Sequence, residues 1–216
     1  AVHTGDAEGD RFVGVEGLIG SLLADTLIGS GVGEQLMGSL GSDVLHGGDG
    51  ADSLFGGSAG FDPSEAGADT IRGEGGHAWA TGNGDNDMLF GGTGGDSLYG
   101  GAGADTLDGD ADGDRLFGGG GADRLRGGTG ADTIFGGEGE ADPRETGADS
   151  IEGGDGNDWV TGNGANDVVL GDAGADSLFG GEGADSVHGG ADADALRGNA
   201  GHDRLEGGPG ADTVIG

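Results

Sequence analysis

The sequence contains no cysteine, no lysine and few hydrophobic residues. Without cysteine, the chain can form neither disulfide bonds nor thiolate metal sites. The sequence has eight arginines and 41 acidic residues, so the formal net charge is −33. This charge excludes a nucleic-acid binder that relies on a basic patch. No run of about 18 apolar residues is present, so no transmembrane helix is expected.

The acidic, weakly hydrophobic composition is typical of a disordered chain unless something neutralises it. Hydrophobic residues make up 32% of the sequence, and 60 of the 216 residues are glycine. No secretory signal is visible. Because the chain begins with Ala1 rather than Met, we expect a processed or excised segment.

A nine-residue repeat decides between disorder and an ordered fold. From residue 20 to residue 215 the chain divides into twenty consecutive units, eighteen of nine residues and two of seventeen. The pattern is G-G-x-G-x-D-x-U-x, where U is apolar. The first residue is Gly in every unit, and the eighth is apolar in every unit. The sixth is Asp in all units except those that carry Glu34 and Ala78.

Each position of the repeat predicts a local structure. The glycines permit the positive φ angles and close backbone approach of a tight six-residue turn. The last three residues form a short strand, whose eighth residue points inward while the seventh and ninth point outward. Two units then make one coil turn of about 18 residues. The expected fold is two parallel sheets back to back around a single file of apolar side chains.

Such a thin core does not offset the entropy of ordering a glycine-rich chain. Stacking the coil places the position-six carboxylates in columns, about 4.8 Å apart. Hard divalent cations between the turns would convert the repulsion within a column into cohesion, and dense oxygen ligands favour Ca²⁺. A salt-adapted acidic surface is the alternative interpretation, and the two can coexist.

The motif closely resembles the RTX (repeats-in-toxin, hemolysin-type) calcium-binding nonapeptide repeats, over residues 20–215. The resemblance implies an all-β fold, a parallel β-roll (right-handed β-solenoid) with calcium-binding turns. It also implies that the position-six aspartates bind the metal. These residues are Asp25, Asp43, Asp52, Asp69, Asp87, Asp96, Asp105, Asp114, Asp123, Asp132, Asp149, Asp158, Asp167, Asp176, Asp185, Asp194, Asp203 and Asp212.

The resemblance further implies how each Ca²⁺ is held between two turns on the same edge. One turn supplies its Asp and the carbonyls of positions two and four. The next turn supplies its Asp and the carbonyls of positions one and three. Two representative sites are Asp96, Gly92 and Gly94 with Asp114, Gly109 and Ala111, and Asp105, Gly101 and Gly103 with Asp123, Gly118 and Gly120. This geometry allows up to about eighteen ions.

Two regions depart from the regular repeat. Residues 1–19 are expected to form an irregular N-terminal cap or degenerate repeat, with residues 5–13 as a degenerate unit and residues 14–19 as a cap-like strand. The β-roll of residues 20–216 carries eight-residue insertions in the units 56–72 and 136–152, within a block that repeats every 80 residues.

The insertions have two interpretations. They are either duplicated surface loops, or recognition loops and extra cation sites that use Asp62 and Glu65, or Asp142 and Glu145. Ala78 replaces a ligand Asp, so the pattern does not support regular sites beside it. The insertions interrupt the repeat, so the pattern does not support regular sites there either.

Aromatic residues of the repeat concentrate on one outward face. Ordinary strand preference explains such a row, and the alternative is a contact surface for another roll or domain. This candidate partner-binding face consists of Phe55, Trp79, Tyr99, Phe117, Phe135, Trp159 and Phe179.

No motif predicts catalysis. Residues 56–60 match G-x-S-x-G, but no strand–elbow–helix context surrounds them. Residues 108–113 resemble the start of an EF-hand loop, yet the twelfth position is Gly119 rather than Glu. We therefore expect a protein without enzymatic activity in this chain.

The resemblance implies a bacterial protein that is secreted unfolded, often by type I secretion, and folds outside the cell on binding calcium. We expect a rigid extracellular scaffolding module of a surface layer, adhesin or filament. Its partners would be calcium ions and other copies of itself, end to end or through the aromatic face. The alternative is the C-terminal calcium-binding tail of a secreted enzyme or toxin whose catalytic domain lies outside this chain.

Overall fold

Short β-strands form all the regular secondary structure in the described residues, which are 2–4 (backbone only), 17–31, 33–58, 67–139 and 146–216 of the computed structural model. The strands are β1 Val2–Thr4, β2 Gly17–Ile19, β3 Thr26–Ile28, β4 Gln35–Met37, β5 Val44–Gly50, β6 Ser53–Phe55, β7 Thr70–Gly76, β8 Trp79–Gly84, β9 Met88–Thr93, β10 Ser97–Ala102, β11 Thr106–Ala111, β12 Arg115–Gly120, β13 Arg124–Thr129, β14 Thr133–Phe135, β15 Ser150–Asp155, β16 Trp159–Gly164, β17 Val168–Ala173, β18 Ser177–Gly183, β19 Ser186–Ala191, β20 Ala195–Gly201, β21 Arg204–Glu206 and β22 Thr213–Ile215. Within these ranges the structure has no helix long and apolar enough to cross a membrane.

Alternate strands enter two parallel sheets, which confirms the predicted parallel β-roll. The 12-stranded sheet has the order β1-β2-β4 and then every even strand to β22. The 10-stranded sheet contains the odd strands from β3 to β21. Paired residues in neighbouring regular turns are 18 apart, as in Leu98 with Leu116 and Leu107 with Leu125. Each coil turn therefore adds one strand to each sheet.

A single file of apolar side chains fills the space between the sheets. From Leu18 in β2 to Leu196 in β20 the second residue of every strand is at most 2% exposed. The two flanking residues point outward because side chains alternate along a strand. Leu205 packs against the end of this file, whereas Val214 in the last turn is 49% exposed. The core thus has the predicted one-residue width.

The turns require glycine where neighbouring coils approach closely. Gly101 and Gly103 have φ angles of 109° and 146°. A Cβ on either residue would collide with a backbone carbonyl oxygen of the preceding turn, that of Asn83 or Asp85 respectively. Asn83 and Asp85 themselves adopt positive φ, as short polar residues do most readily after glycine.

The insertions leave the roll at the same kind of turn, between positions three and four of their units. Ser58 and Glu138 are the third residues, and Gly67 and Gly147 resume the register as the fourth. Gly67 lies against the carbonyl of Gly41 and Gly147 against that of Gly121, as other position-four glycines do one turn apart. Residues 59–66 and 140–145, which include Asp62, Glu65, Asp142 and Glu145, lie outside the described residues. So does the degenerate unit predicted at residues 5–13.

The outward face of the 12-stranded sheet carries a continuous ladder of aromatic rings. Seven rings, from Phe55 to Phe179, follow one another with centroid distances of 4.7–5.4 Å. Tyr99, Phe117 and Phe135 are stacked in parallel, at interplanar angles of 2° and 3°. Phe55 and Phe135 are buried, and the other five rings are half-buried. We call this row the aromatic ladder.

The outward face of the 10-stranded sheet carries charged pairs instead. Arg126 lies 3.6 Å from both Asp108 and Glu152 on the neighbouring strands. Arg72 lies over the ring of Phe90, 4.2 Å from its centroid. These contacts are exposed cross-strand pairs of modest strength, so the two faces of the roll differ in chemistry.

Truncating the core should destabilise the roll strongly. Leu107→Ala removes a side chain that is 1% exposed and should lower the free energy of unfolding by about 2–5 kcal/mol. The file has no second layer that could fill the cavity. Thermal unfolding of the folded chain, followed by circular dichroism, measures the effect. Thr106→Ala, the outward neighbour, is the control, and an equal loss in both variants would contradict the single-file core.

Candidate metal centres

The position-six side chains form two columns, one on each edge of the roll. The first edge consists of the turns that lead into the 10-stranded sheet, and the second edge of those that lead into the 12-stranded sheet. Asp25, Asp105 and Asp123 lie on the first edge, and Asp96 and Asp114 on the second. From Asp25 to Asp194 these aspartates are at most 4% exposed, whereas Asp203 and Asp212 are half-buried.

From Asp43 onwards, one carboxylate oxygen of each column aspartate accepts a backbone hydrogen bond from the preceding turn. The Oδ1 atom of Asp105 accepts a hydrogen bond from the backbone N–H of Asp87 at 2.8 Å. The Oδ1 atom of Asp123 accepts one from Asp105 at 2.8 Å. The same bond joins Asp25 to Asp43 and recurs to Asp194 and Asp212. Each column is therefore built of charge-assisted hydrogen bonds from turn to turn, and the second column is interrupted where Ala78 provides no carboxylate.

The second carboxylate oxygen, Oδ2, has no hydrogen-bond partner in most turns. It is inaccessible to solvent and accepts no hydrogen bond in eleven aspartates and in Glu34. These residues are Glu34, Asp43, Asp52, Asp87, Asp96, Asp105, Asp114, Asp132, Asp158, Asp176, Asp185 and Asp194. A buried carboxylate oxygen without a partner is costly, so its repetition along both columns indicates a ligand position.

The position-one glycine makes room for this oxygen. A Cβ on Gly91 would collide with Oδ2 of Asp96 and would lie 2.7 Å from the carbonyl oxygen of Gly109 in the next turn. The same arrangement recurs at Gly100, beside Oδ2 of Asp105 and the carbonyl oxygen of Gly118. A carboxylate and a carbonyl from successive turns thus converge next to each position-one glycine.

Backbone carbonyls from both sides border the gap between two turns. On the first edge, the carbonyls of Gly101 and Gly103 point forward, against Gly119 and Gly121 of the next turn. The carbonyl of Gly118 points back towards Gly100. The carbonyl of Gly120 also points back and accepts the N–H of Gly103 at 2.8 Å.

The first representative site lies on the second edge. There Gly109 points its carbonyl back towards Gly91. Gly92 and Gly94 have φ angles of 103° and 105°, and Ala111 ends β11.

The donor set of each gap consists of oxygen atoms alone. Within the described ranges no group of three or more His, Asp or Glu side chains converges on one point. Each gap instead combines two carboxylates with backbone carbonyls, whose second lone pair remains available when they accept an N–H. Such donors suit a hard cation with six to eight oxygen ligands, which is the preference of Ca²⁺.

Burial raises the pKa of several column carboxyls above the usual 3.8. The pKa is about 8 for Asp87 and Asp114, and about 6 for Asp43, Asp96 and Asp105. Desolvation is the largest cause, the backbone hydrogen bond opposes it, and for Asp87 and Asp114 the aspartates of neighbouring turns add repulsion. The metal-free column therefore resists full ionisation.

The two edges differ in continuity. Both insertion units keep the regular arrangement, since Oδ2 of Asp69 lies beside Gly56 and Oδ2 of Asp149 beside Gly136. The first edge therefore has an aspartate in every turn from Asp25 to Asp203. The second edge is interrupted at Ala78, whose methyl group cannot replace the carboxylate. At Glu34 the longer side chain turns back to Ser30, whose N–H and hydroxyl both donate to Oε1.

The sequence pattern did not reveal how the second insertion is anchored. The side chain of Asn163 donates from Nδ2 to the carbonyl of Gly139 at 2.5 Å. Its Oδ1 accepts the N–H of Gly137 at 3.4 Å. Asn163 belongs to the Thr-Gly-Asn-Gly segment that ends β16 and recurs at the end of β8. The recurrence of that segment after both insertions was the available signal for this role.

Comparison with known families supports the interpretation of the repeat. The family model described as the RTX calcium-binding nonapeptide repeat (4 copies) matches residues 28–59, 64–77, 81–116, 108–140, 145–178 and 179–214. These matches cover most of the chain. No curated protein matches it significantly.

The raised pKa values predict how acidity affects the metal-free roll. Because the folded-state pKa values of about 6 to 8 exceed the unfolded value of 3.8, the folded state binds more protons than the unfolded chain. Its stability is therefore present at low pH and is lost as the pH rises from about 4 to about 8. Far-UV circular dichroism in excess chelator should show the most sheet at the acidic end. A sheet signal that grows with pH would contradict this.

Proposed function

Because the chain belongs to the RTX calcium-binding nonapeptide repeat family, we propose that it is a calcium-dependent structural module of a secreted bacterial protein. The observation that carries the proposal is the pair of buried columns, in which unpartnered carboxylate oxygens face carbonyls of the next turn. Calcium would supply the positive charge that the columns lack. Binding energy would then become folding energy.

We assign the ligands by turn. In the gap between Asp105 and Asp123, those two carboxylates would bind with the carbonyls of Gly101, Gly103, Gly118 and Gly120. The gap between Asp96 and Asp114 would use the carbonyls of Gly92, Gly94, Gly109 and Ala111. The same set recurs along the first edge, including the insertion units, because their column geometry is regular. On the second edge it recurs except in the two gaps beside Ala78, which lack one carboxylate.

The proposed role is that of a rigid extracellular spacer. The described roll continues without a break in its core from Leu18 to Leu196. A fold that is disordered at low calcium and ordered at millimolar calcium suits export as an unfolded chain and assembly outside the cell. Within the described residues, the carboxylate columns and their hydrogen bonds hold successive turns of the fold together.

A calcium titration tests the central proposal. Adding Ca²⁺ to the chelated chain at neutral pH should produce a cooperative transition from coil to sheet in far-UV circular dichroism. Mg²⁺ should fail at the same concentration, since it requires a tighter octahedral shell and keeps its water. Stable sheet in excess chelator at neutral pH would overturn the proposal.

A matched pair of substitutions tests the ligand assignment. Asp105→Asn keeps the shape of a buried column residue but removes its charge, and it borders two gaps. We expect fewer bound ions by calorimetry and a calcium midpoint about tenfold higher, equivalent to about 1.4 kcal/mol. Asp108→Asn, on the outward face of β11, the strand that follows Asp105, should leave both quantities unchanged. Equal behaviour of the two variants would exclude the column as the binding site.

Restoring the missing carboxylate should add metal. Ala78→Asp would complete the second edge, where Ala78 stands between Asp52 and Asp96. We expect up to two additional Ca²⁺ per chain and a lower calcium midpoint, because both adjacent gaps gain a ligand. Calorimetric stoichiometry measures this. The control is Ala80→Val, which enlarges a core residue of β8, the strand that follows Ala78. Unchanged stoichiometry in Ala78→Asp would show that those gaps already bind metal without it.

A further inference from the structure

The aromatic ladder is covered at two levels of the roll and is more open between them. Phe55 and Phe135, the rings that precede the two insertions, are buried. On the following strands, β8 and β16, the residues at alternate positions after each Trp are buried as well, and these are Thr81, Asn83, Thr161 and Asn163. Between the two covered levels, Tyr99 of β10 and Phe117 of β12 are half-buried. These two strands form a window in the aromatic ladder.

A cleft with a volume of about 340 Å³ lies in this window. Its lining consists of Tyr99, Gly101, Phe117, Gly119 and Glu138. Gly101 and Gly119 pair with each other near the ends of β10 and β12, whereas on β8 the partner of Gly101 is Asn83. The cleft therefore arises where two neighbouring residues without side chains adjoin two rings. Its volume lies within the usual range of small-molecule sites.

The lining combines apolar walls with one negative charge. The rings of Tyr99 and Phe117 are stacked on each other, so they offer the cleft mainly their edges. Ring edges carry partial positive charge and suit an apolar group better than a cation. Glu138 is exposed and is the only charged residue of the lining. Arg115 stands two residues before Phe117 on β12, so that ring separates it from Gly119.

The next copy of the 80-residue block places its own cation against the ladder. There the residues that correspond to the two rings of the window are Phe179 and Arg197. The guanidinium of Arg197 lies over the ring of Phe179, 6.0 Å from its centroid. Asn199 takes the place of Gly119, so a side chain stands where the first copy has none. The first copy thus has a cleft beside a carboxylate where the second copy has a built-in guanidinium.

We propose that this cleft binds a small organic cation. The apolar body of the ligand lies along the ring edges of Tyr99 and Phe117, and its ammonium or guanidinium group pairs with Glu138. The net charge of −33 attracts such a ligand and repels an anion. An uncharged ligand of the same shape would lose the ion pair. The site uses side chains on the outside of the roll, so it is separate from the carboxylate columns.

A matched pair of probes tests the proposal on the calcium-loaded full chain. Phenylpropylamine carries an ammonium group at neutral pH, and phenylpropanol has the same shape without the charge. Saturation-transfer NMR at physiological ionic strength, where long-range attraction is screened, measures the affinity of both. We expect one amine site per chain, with a dissociation constant on the order of 1 mM for so small a ligand. The alcohol should bind about fivefold more weakly, as the loss of an exposed ion pair predicts.

Substitutions locate the site within the chain. Glu138→Gln keeps the size of the side chain but removes its charge, and it should weaken amine binding about fivefold without affecting the alcohol. Glu182→Gln is the matched control, because Glu182 is also an exposed glutamate at position three of a first-edge turn, and it should change neither affinity. Phe117→Arg reproduces the arrangement of Phe179 and Arg197. It should weaken amine binding by about tenfold or more, since it removes an apolar wall and adds a like charge.

Three outcomes would overturn the proposal. Equal affinities for amine and alcohol, or equal amine binding by Glu138→Gln and Glu182→Gln, would exclude the ion pair. Unchanged binding by Phe117→Arg would place the amine elsewhere on the acidic surface. No saturable binding by a chain that is folded in calcium would exclude the site and leave the calcium proposal intact. Circular dichroism of each variant in calcium confirms that it is folded.

Discussion

Repulsion between stacked, buried carboxylates is the constraint on which the rest of this roll depends. Each coil turn, except at Ala78 on the second edge, adds one carboxylate to each edge at a spacing of about 4.8 Å. At that distance two charges repel by on the order of 3 kcal/mol even with an effective dielectric constant of 20. Oδ1 of Asp105 gains a backbone hydrogen bond, but Oδ2 is buried without a hydrogen-bond partner and lies beside Gly100, towards which the carbonyl of Gly118 also points. Protons or cations must therefore accompany folding, and the raised pKa values and the proposed calcium sites are two consequences of the same column.

The unusual composition follows from this arrangement. A carboxylate that turns inward beside the backbone leaves no space for a side chain at position one, so Gly91 and Gly100 cannot be replaced without a clash. Carbonyls that point into the next gap require the positive φ angles of positions two and four. Only one residue in nine remains for the core, which explains why it is a single file. Glycine, aspartate and one apolar residue per unit are thus the minimum set for this architecture.

The sequence was sufficient to predict the strands, the inward residues and the columns, because the nine-residue period couples each of them to a fixed position. Leu98 is inward and Tyr99 outward for the same reason that Asp105 lies in the column. The period could not show where the insertions leave the roll, since it counts residues without locating a loop. That exit point lies before Gly67 and Gly147, and so the column geometry is retained. Nor could it show the division of labour between Oδ1 and Oδ2, or the anchoring by Asn163, which depend on contacts between turns.

The turn at Ala78 shows how two stabilising features of the roll, the carboxylate columns and the aromatic ladder, complement each other. On the second edge, Ala78 provides no oxygen to hold the N–H of Asp52. The first edge remains intact at this level, because Asp69 accepts from Asp43 at 2.7 Å and donates to Asp87 at 2.8 Å. The ring of Trp79, the residue after Ala78, packs against those of Phe55 and Tyr99, with ring centroids 5.1 Å and 5.4 Å apart. Aromatic contacts, which need no metal, therefore connect the turns where one column is interrupted, so that the roll continues across a level with only one complete edge.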